Sequence, residues 1–270
     1  MFAQINHIAI ISRHISTLGR FYESAFNLSP PSERRPLNGV TIGDGYAGIN
    51  INSRRAGSVS ALDHFGFLVD DVPAVLERMQ SQYPQTGLVK RPSSRPFAAY
   101  SGHDPDGNVF DLAQKNNDNR SSIYKEQAEE AGKQDRYINK FAIRTVNPDQ
   151  VARFYREVFE LETLNRKTEA PGHHLTDGRV TLSILPWTID LFENMSIKRP
   201  GPDHLGFKVE NIDALKKDLL RIAARNPAMA PIQLGGTEET DACAELFRKS
   251  ALGSFQIADS DGNWIDISVD

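Results

Sequence analysis

Apolar and polar positions along this chain alternate between two periods. Asn6 to Ile11 is rich in β-branched residues and predicts a strand; from Ser16 onward Leu18, Phe21, Tyr22, Ala25 and Phe26 recur at three- and four-residue steps and predict an amphipathic helix. Pro30-Pro31 stops the helix. Short strands are expected around Val40-Thr41-Ile42 and from Ala47 to Ile51, joined by the tight turn Gly43-Asp44-Gly45. The unit reads β-α-β-β, with room for a third short strand. It starts again at His64-Phe65-Gly66-Phe67-Leu68-Val69, continues through a helix from Val72 to Tyr83, and ends in strands flanking the turn Asp104-Pro105-Asp106-Gly107-Asn108.

The pattern then repeats. Ile5-Asn6-His7, Phe21-Tyr22 and Asp44-Gly45 return as Ile138-Asn139-Lys140, Phe154-Tyr155 and Asp177-Gly178, all at an offset of 133 residues. Leu62-Asp63-His64-Phe65-Gly66-Phe67 answers to Pro202-Asp203-His204-Leu205-Gly206-Phe207, and Asp104-Pro105-Asp106-Gly107-Asn108 to Asp259-Ser260-Asp261-Gly262-Asn263. The third unit runs from about Ile138 to Trp187 with a helix from Pro148 to Phe159. The fourth starts at His204, with a helix from Ile212 to Ala224. A repeat of this length sets the architecture as four modules in two halves. The halves are 1–114 and 138–270, joined by a polar linker over 115–137 that has little apolar periodicity.

Composition narrows the function. With 39% hydrophobic and 24% charged residues in 270, the chain is an ordinary globular protein, long enough for two cores. A net charge of −4 argues against nucleic acid as a partner, since phosphate neutralisation needs a basic surface. Cys243 stands alone and can form no intramolecular disulfide, and no apolar run approaches a membrane span; the expectation is a cytoplasmic protein without a membrane partner. No P-loop, dinucleotide fingerprint, nucleophile elbow or zinc-type cysteine cluster is present.

The strand that begins at a histidine, the Phe-Tyr-x-x-x-Phe-x-Leu helix and the Asp-x-Asp-Gly-Asn turn leading into a carboxylate strand together resemble the vicinal oxygen chelate superfamily. That group includes glyoxalase I, the fosfomycin and bleomycin resistance proteins and the type I extradiol ring-cleaving dioxygenases. The resemblance implies an α+β fold in which four βαβββ modules form two cup-shaped half-barrels. It also implies a divalent metal inside a cup, held by residues of the first and last strands of the modules.

Carried over residue by residue, the first-strand places are His7, His64, Lys140 and His204, and the last-strand places Asp111 and Asp266. The N-terminal half thus offers His7, His64 and Asp111, a two-histidine, one-carboxylate set suited to Fe(II), with Mn(II) also compatible. A different pairing of modules would use His7, His204 and Asp266. The C-terminal half has Lys140 at the first place, and an ammonium has no lone pair to give a metal, so that half is expected to be metal-free. Relatives mostly carry Glu where this chain has Asp. Tyr100, eleven residues before Asp111, resembles the tyrosine beside the metal in ring-cleaving enzymes, and His103 is a second candidate for proton handling. The basic segment from Arg91 to Phe97 stands where an anionic substrate could enter, or is a solvated loop. His173-His174 are expected at the surface, with lining of the cup as the lesser alternative.

What the resemblance implies is a metal-dependent extradiol-type dioxygenase acting on a small aromatic or enediol with adjacent oxygens, with a homodimer as a compatible assembly. A glyoxalase-like lyase or isomerase, and a binding protein of the bleomycin-resistance kind, remain open alternatives, because one architecture carries all three.

Overall fold

The computed structural model describes residues 2–29, 39–91, 98–115, 134–165, 168–195, 197, 199–232 and 234–269. Most of the 115–137 linker and residues 92–97 of the basic segment lie outside them.

The first quarter of the chain forms β1 (Ala3–Ser12), α1 (Ile15–Phe26), β2 (Gly39–Gly43) and β3 (Gly48–Ser53). The second forms β4 (Ala61–Val69), α2 (Val72–Gln82), β5 (Leu88–Lys90), β6 (Tyr100–His103) and β7 (Val109–Gln114). In the third are β8 (Tyr137–Thr145), α3 (Pro148–Phe159), β9 (Glu162–Thr163), β10 (His173–Thr176), β11 (Thr181–Pro186) and α4 (Ile189–Met195). The fourth has β12 (Gly201–Lys208), α5 (Ile212–Arg225), α6 (Glu238–Ser250), β13 (Phe255–Ala258) and β14 (Trp264–Ser268).

The helices end where the sequence allows. The side chains of Asp71 and Asn211 accept from the Ala74 and Ala214 amides and cap α2 and α5, while Pro148 opens α3 at a position where its missing N–H costs nothing. At the C-terminal ends of α1 and α3, Asn27 and Glu160 take positive φ, 55° and 56°. Left-handed caps suit asparagine better than glutamate, whose Glu160 carboxylate is tied to Arg78.

Two open, mixed seven-stranded sheets result, in the orders β2-β3-β1-β4-β7-β6-β5 and β13-β14-β12-β8-β11-β10-β9. The fold is the expected α+β arrangement, but the βαβββ plan is complete only in the second and third modules. Among the described residues the first module has a single bridge, Ser29 to Gly43, in place of its extra strand. The fourth has the bridge Ile232 to Ala258 and, beyond it, the helix α6, which the apolar pattern had not suggested.

Two compact units emerge from the contacts. One comprises Met1–His7, Asp63–Arg120 and Lys140–Asp203, the other Ile8–Leu62, Ser121–Asn139 and His204–Asp270. In the first, Phe67 stacks on Phe159 at 4.1 Å and Phe65 meets Phe141 and Tyr155, so α2 and α3 close over one aromatic core. In the second, Phe26 stacks on Phe207 at 3.7 Å and α1 packs on α5.

The repeated Asp turns fasten each unit. Asp104 accepts from the Asp106 and Asn108 amides and the Asn108 side chain, and takes a fourth bond from the Tyr155 hydroxyl at 3.1 Å. Asp259 does the same with Asp261, Asn263 and the Tyr22 hydroxyl at 2.6 Å. Burial raises the pKa of both carboxyls, against these hydrogen bonds. The Phe-Tyr and Asp-Gly-Asn motifs are therefore clamps, with the tyrosine hydroxyls and the Asp104 and Asp259 carboxylates spent inside the core. No described helix is long and apolar enough to cross a membrane.

Candidate metal centre

His7 lies on β1 and His64 on β4, neighbouring strands of the first sheet; Asp111 lies on β7, next to β4, in parallel register with Gly66. Side chains alternate along a strand, so Phe65 and Phe67 enter the core while His64 and Gly66 take the other face, together with Asp111 between the buried Phe110 and Leu112. All three residues belong to the first compact unit. Among the described residues they form a group whose ligand atoms all lie within 4.8 Å of one another.

Both rings are oriented from behind. His7 Nδ1 bonds the Asn6 side-chain oxygen at 2.8 Å, and His64 Nδ1 bonds Asp63 Oδ2 at 2.7 Å. Nε2 of each ring is thereby turned toward Asp111 Oδ2, at 3.7 Å from His7 and 3.2 Å from His64. The rings meet edge to face with centroids 5.7 Å apart. Ligands about 2.1 Å from a common divalent ion stand about 3 to 3.5 Å apart at right-angled or tetrahedral positions, so the His64 contact falls in that range, the His7 contact lies just beyond it, and with Nδ1 of each ring turned to Asn6 or Asp63 the three residues could hold a metal after a small inward shift. Asp in place of Glu is no obstacle, since its shorter side chain still brings Oδ2 between the two imidazoles.

The closeness of these charges shows in their proton affinities. Burial opposes protonation of His64, but its bonds to Asp111 and Asp63 win and raise its pKa to about 9. Burial would raise that of Asp111, and the two histidines hold it far below the usual carboxylate range.

Two further groups grip the carboxylate. Ser101 Oγ donates to Asp111 Oδ1 at 2.6 Å, and Arg91 Nη1 donates to Oδ1 at 3.0 Å and Oδ2 at 2.8 Å. The sequence reading had placed Tyr100 here. In the antiparallel pairing of β6 with β7, Tyr100 sits opposite Leu112 and Ser101 opposite Asp111, so Tyr100 belongs to the other face. The register differs by one residue, and one residue reverses the face.

His103 is also committed elsewhere. Its Nε2 accepts from the Gly87 amide at 3.1 Å and its Nδ1 bonds the Asp104 carbonyl at 2.8 Å, leaving neither ring nitrogen for proton transfer.

His204 and Asp266, the other set considered, lie in the second compact unit, whereas His7 lies in the first. Asp266 accepts from the Leu252 and Gly253 amides at 2.8 to 3.1 Å, just beyond the end of α6. Phe247 of α6 packs against His204 at 4.9 Å and Trp264 at 4.3 Å. The inserted helix thus covers in this unit the positions that correspond to His64 and Asp111. On the second sheet His174, expected at the surface, is buried and bonds Ser183 Oγ at 2.9 Å, while His173 pairs with Asp149.

Sequence reasoning passed over Ser101, Asn6 and Asp63. The last two were legible as the residues immediately before the histidines, where a short polar side chain can turn back onto Nδ1.

No protein-family model and no curated protein sequence matches the chain. Solved structures do. A Mn(II)-bound glyoxalase from Novosphingobium aromaticivorans aligns with a TM-score of 0.59 at 14% identity, over 98% of this chain and 81% of its own. A 2,3-dioxygenase from Pseudomonas sp. KL28 aligns with a TM-score of 0.58 at 13% identity, over 99% and 92%. A fusion of a xylose isomerase-like TIM barrel with a 4-hydroxyphenylpyruvate dioxygenase gives 0.59 at 12% identity; this chain is covered to 99% but spans only 48% of that one. Repeat, sheet order and these alignments agree that the chain has the vicinal oxygen chelate fold, with its four modules in a single polypeptide.

Proposed function

We propose that the protein is a metal-dependent, extradiol-type dioxygenase for a small aromatic or enediol with adjacent oxygens, its ion held by His7, His64 and Asp111. The observation that carries this reading is the convergence of two oriented Nε2 atoms on one carboxylate oxygen. A divalent ion bound there supplies Lewis acidity toward two vicinal oxygens, with Fe(II) the ion this donor set suits best and Mn(II) compatible.

The chain's own residues prepare that site. Asn6 and Asp63 hold the histidines in the tautomer whose Nε2 lone pair faces inward, and Ser101 fixes the rotation of the carboxylate. His7 and Asp111 are buried and His64 is 16% exposed, so a substrate approaches from the His64 side. Arg91 places a positive charge beside the carboxylate.

The placement of Tyr100 and His103 weighs on both enzyme readings, since neither is offered to the site as an acid or base and a glyoxalase-like isomerisation, which moves a proton between substrate atoms, needs such a base more than ring cleavage does. Anaerobic loading with Fe(II), followed by oxygen uptake with catechols, separates the two. Uptake that disappears in His64→Ala supports the dioxygenase, turnover without oxygen consumption supports the isomerase, and ligand retention without turnover supports a binding protein. A protein that takes up no divalent ion overturns the metal reading.

A further inference from the structure

The carboxylate that would bind the metal is already bound by a cation. Arg91 follows β5 directly, and its amide donates to the Ala99 carbonyl at 2.9 Å, so the side chain leaves from anchored backbone. A single guanidinium nitrogen, Nη1, bridges both oxygens of Asp111, and the shorter contact, 2.8 Å, is to Oδ2. Oδ2 is also the oxygen toward which both histidines point. Ser101, in contrast, holds only Oδ1, at 2.6 Å and without charge.

We infer that Arg91 is a built-in competitor for the metal: its guanidinium occupies Asp111 Oδ2 in the metal-free protein and must leave that oxygen when a divalent ion enters. The inference rests on the metal reading above and adds a control on occupancy to it. Two physical effects act in the same direction. The arginine's hydrogen bond takes one lone pair of Oδ2 and weakens that oxygen as a donor to an ion, and its positive charge repels a second cation close by.

Ser101 has the opposite role. It holds the carboxylate in its rotamer whether or not Arg91 is present, so removing Arg91 frees Oδ2 without misplacing it. Two neighbours of one carboxylate should therefore act on metal affinity with opposite signs. Arg91 is a third exposed, so on release its guanidinium can turn toward solvent without a buried charge being left unpaired.

The test is Mn(II) titration by calorimetry on the full chain after chelator treatment, with thermal denaturation recorded in parallel with and without Mn(II). Losing one charged hydrogen-bonding competitor should tighten Mn(II) binding in Arg91→Gln on the order of tenfold or more. Ser101→Ala should weaken it, and Arg91→Lys, which keeps the charge, should stay near wild type. Arg91→Gln should also melt earlier than wild type without metal yet gain more from Mn(II), a pairing that a purely structural role would not produce. Wild-type binding with equal or weaker binding by Arg91→Gln overturns the inference and leaves the metal site standing. If no form binds Mn(II), the metal reading itself fails and the inference falls with it.

Discussion

Gly66 is the residue on which the candidate site can be tested most directly. A methyl group at this position would lie 2.0 Å from His7 Cε1, 2.4 Å from Nδ1 and 2.8 Å from Nε2. Carbon atoms rest at about 3.5 to 4.0 Å, so the imidazole would have to retreat by about 1.5 Å. His7 is fully buried and its Nδ1 is bonded to Asn6, so the ring has no free path. Gly66→Ala should therefore cost ~1–3 kcal/mol in overpacking, and should take Nε2 away from Asp111. The nearest contacts are all to the His7 ring, whose share of the cost a double-mutant cycle can isolate. In a His7→Ala background the ring is gone, and the added methyl should cost almost nothing, giving a coupling of ~1–3 kcal/mol between positions 66 and 7. Urea denaturation of the four proteins in chelator measures this without any metal. Gly87→Ala is the control, since its methyl would meet the nearest atom, His103 Nε2, at an ordinary 3.5 Å. Equal cost of Gly66→Ala with and without the His7 ring would refute the placement of His7 over Gly66, and with it the geometry of the cluster.

Asp111→Asn and His64→Ala should each weaken Mn(II) binding by on the order of a hundredfold or more in calorimetry, because each removes one of the three proposed ligands, whereas His103→Ala should leave binding intact and cost ~1 kcal/mol for its two backbone hydrogen bonds. In the metal-free protein the raised pKa of His64 sets a pH dependence. The stability from its protonated pairing with Asp111 is fully present below the unfolded-state value of 6.5 and is lost as pH rises through about 9, so the urea midpoint should fall over that window in wild type and stay flatter in His64→Ala. Phe247→Ala should cost ~3–5 kcal/mol, because the ring is buried against His204 and Trp264; a thermal scan showing a near-neutral change would mean that α6 does not seal that site.

The sequence made the fold legible because the repeat was tied to the core. Phe21-Tyr22 and Phe154-Tyr155 are conspicuous because their rings fill two aromatic cores and their hydroxyls clamp buried Asp259 and Asp104. Those same motifs say nothing about chemistry, since their polar atoms are used up internally. The convergence of His7, His64 and Asp111 was readable by position along the repeat, but the side chains around them depended on register. Tyr100 and Ser101 differ by one place, and only the pairing His103 with Val109 across the Asp104 turn decides which of them reaches Asp111. Arg91 was visible as a basic residue, yet its bond to Asp111 depends on β5 pairing with β6, which no local pattern dictates.

The breaks in the repeat were the informative signal, and one of them was passed over. From His64 to Asp111 is 47 residues, but from His204 to Asp266 is 62. Fifteen extra residues in a module that must still pair β12 with β14 cannot be absorbed by the sheet, so they have to form an element outside it. That element is α6, opened by the reciprocal Thr237–Thr240 cap with acidic residues in its first turn and Arg248 and Lys249 in its last. It delivers Phe247 onto His204, and the chain leaving it presents the Leu252 and Gly253 amides to Asp266. The two units thus satisfy equivalent aspartates by different means. Asp266 accepts from the Leu252 and Gly253 amides, which follow α6 in the chain, and from the Gln256 side chain, whereas Asp111 takes its bonds from the side chains of Ser101 and Arg91. A carboxylate whose charged partner is removable can accept a cation at the cost of one side-chain rearrangement. In the counterpart, Phe247 covers His204, the chain after α6 anchors Asp266, and Lys140 stands where His7 stands in the candidate metal centre.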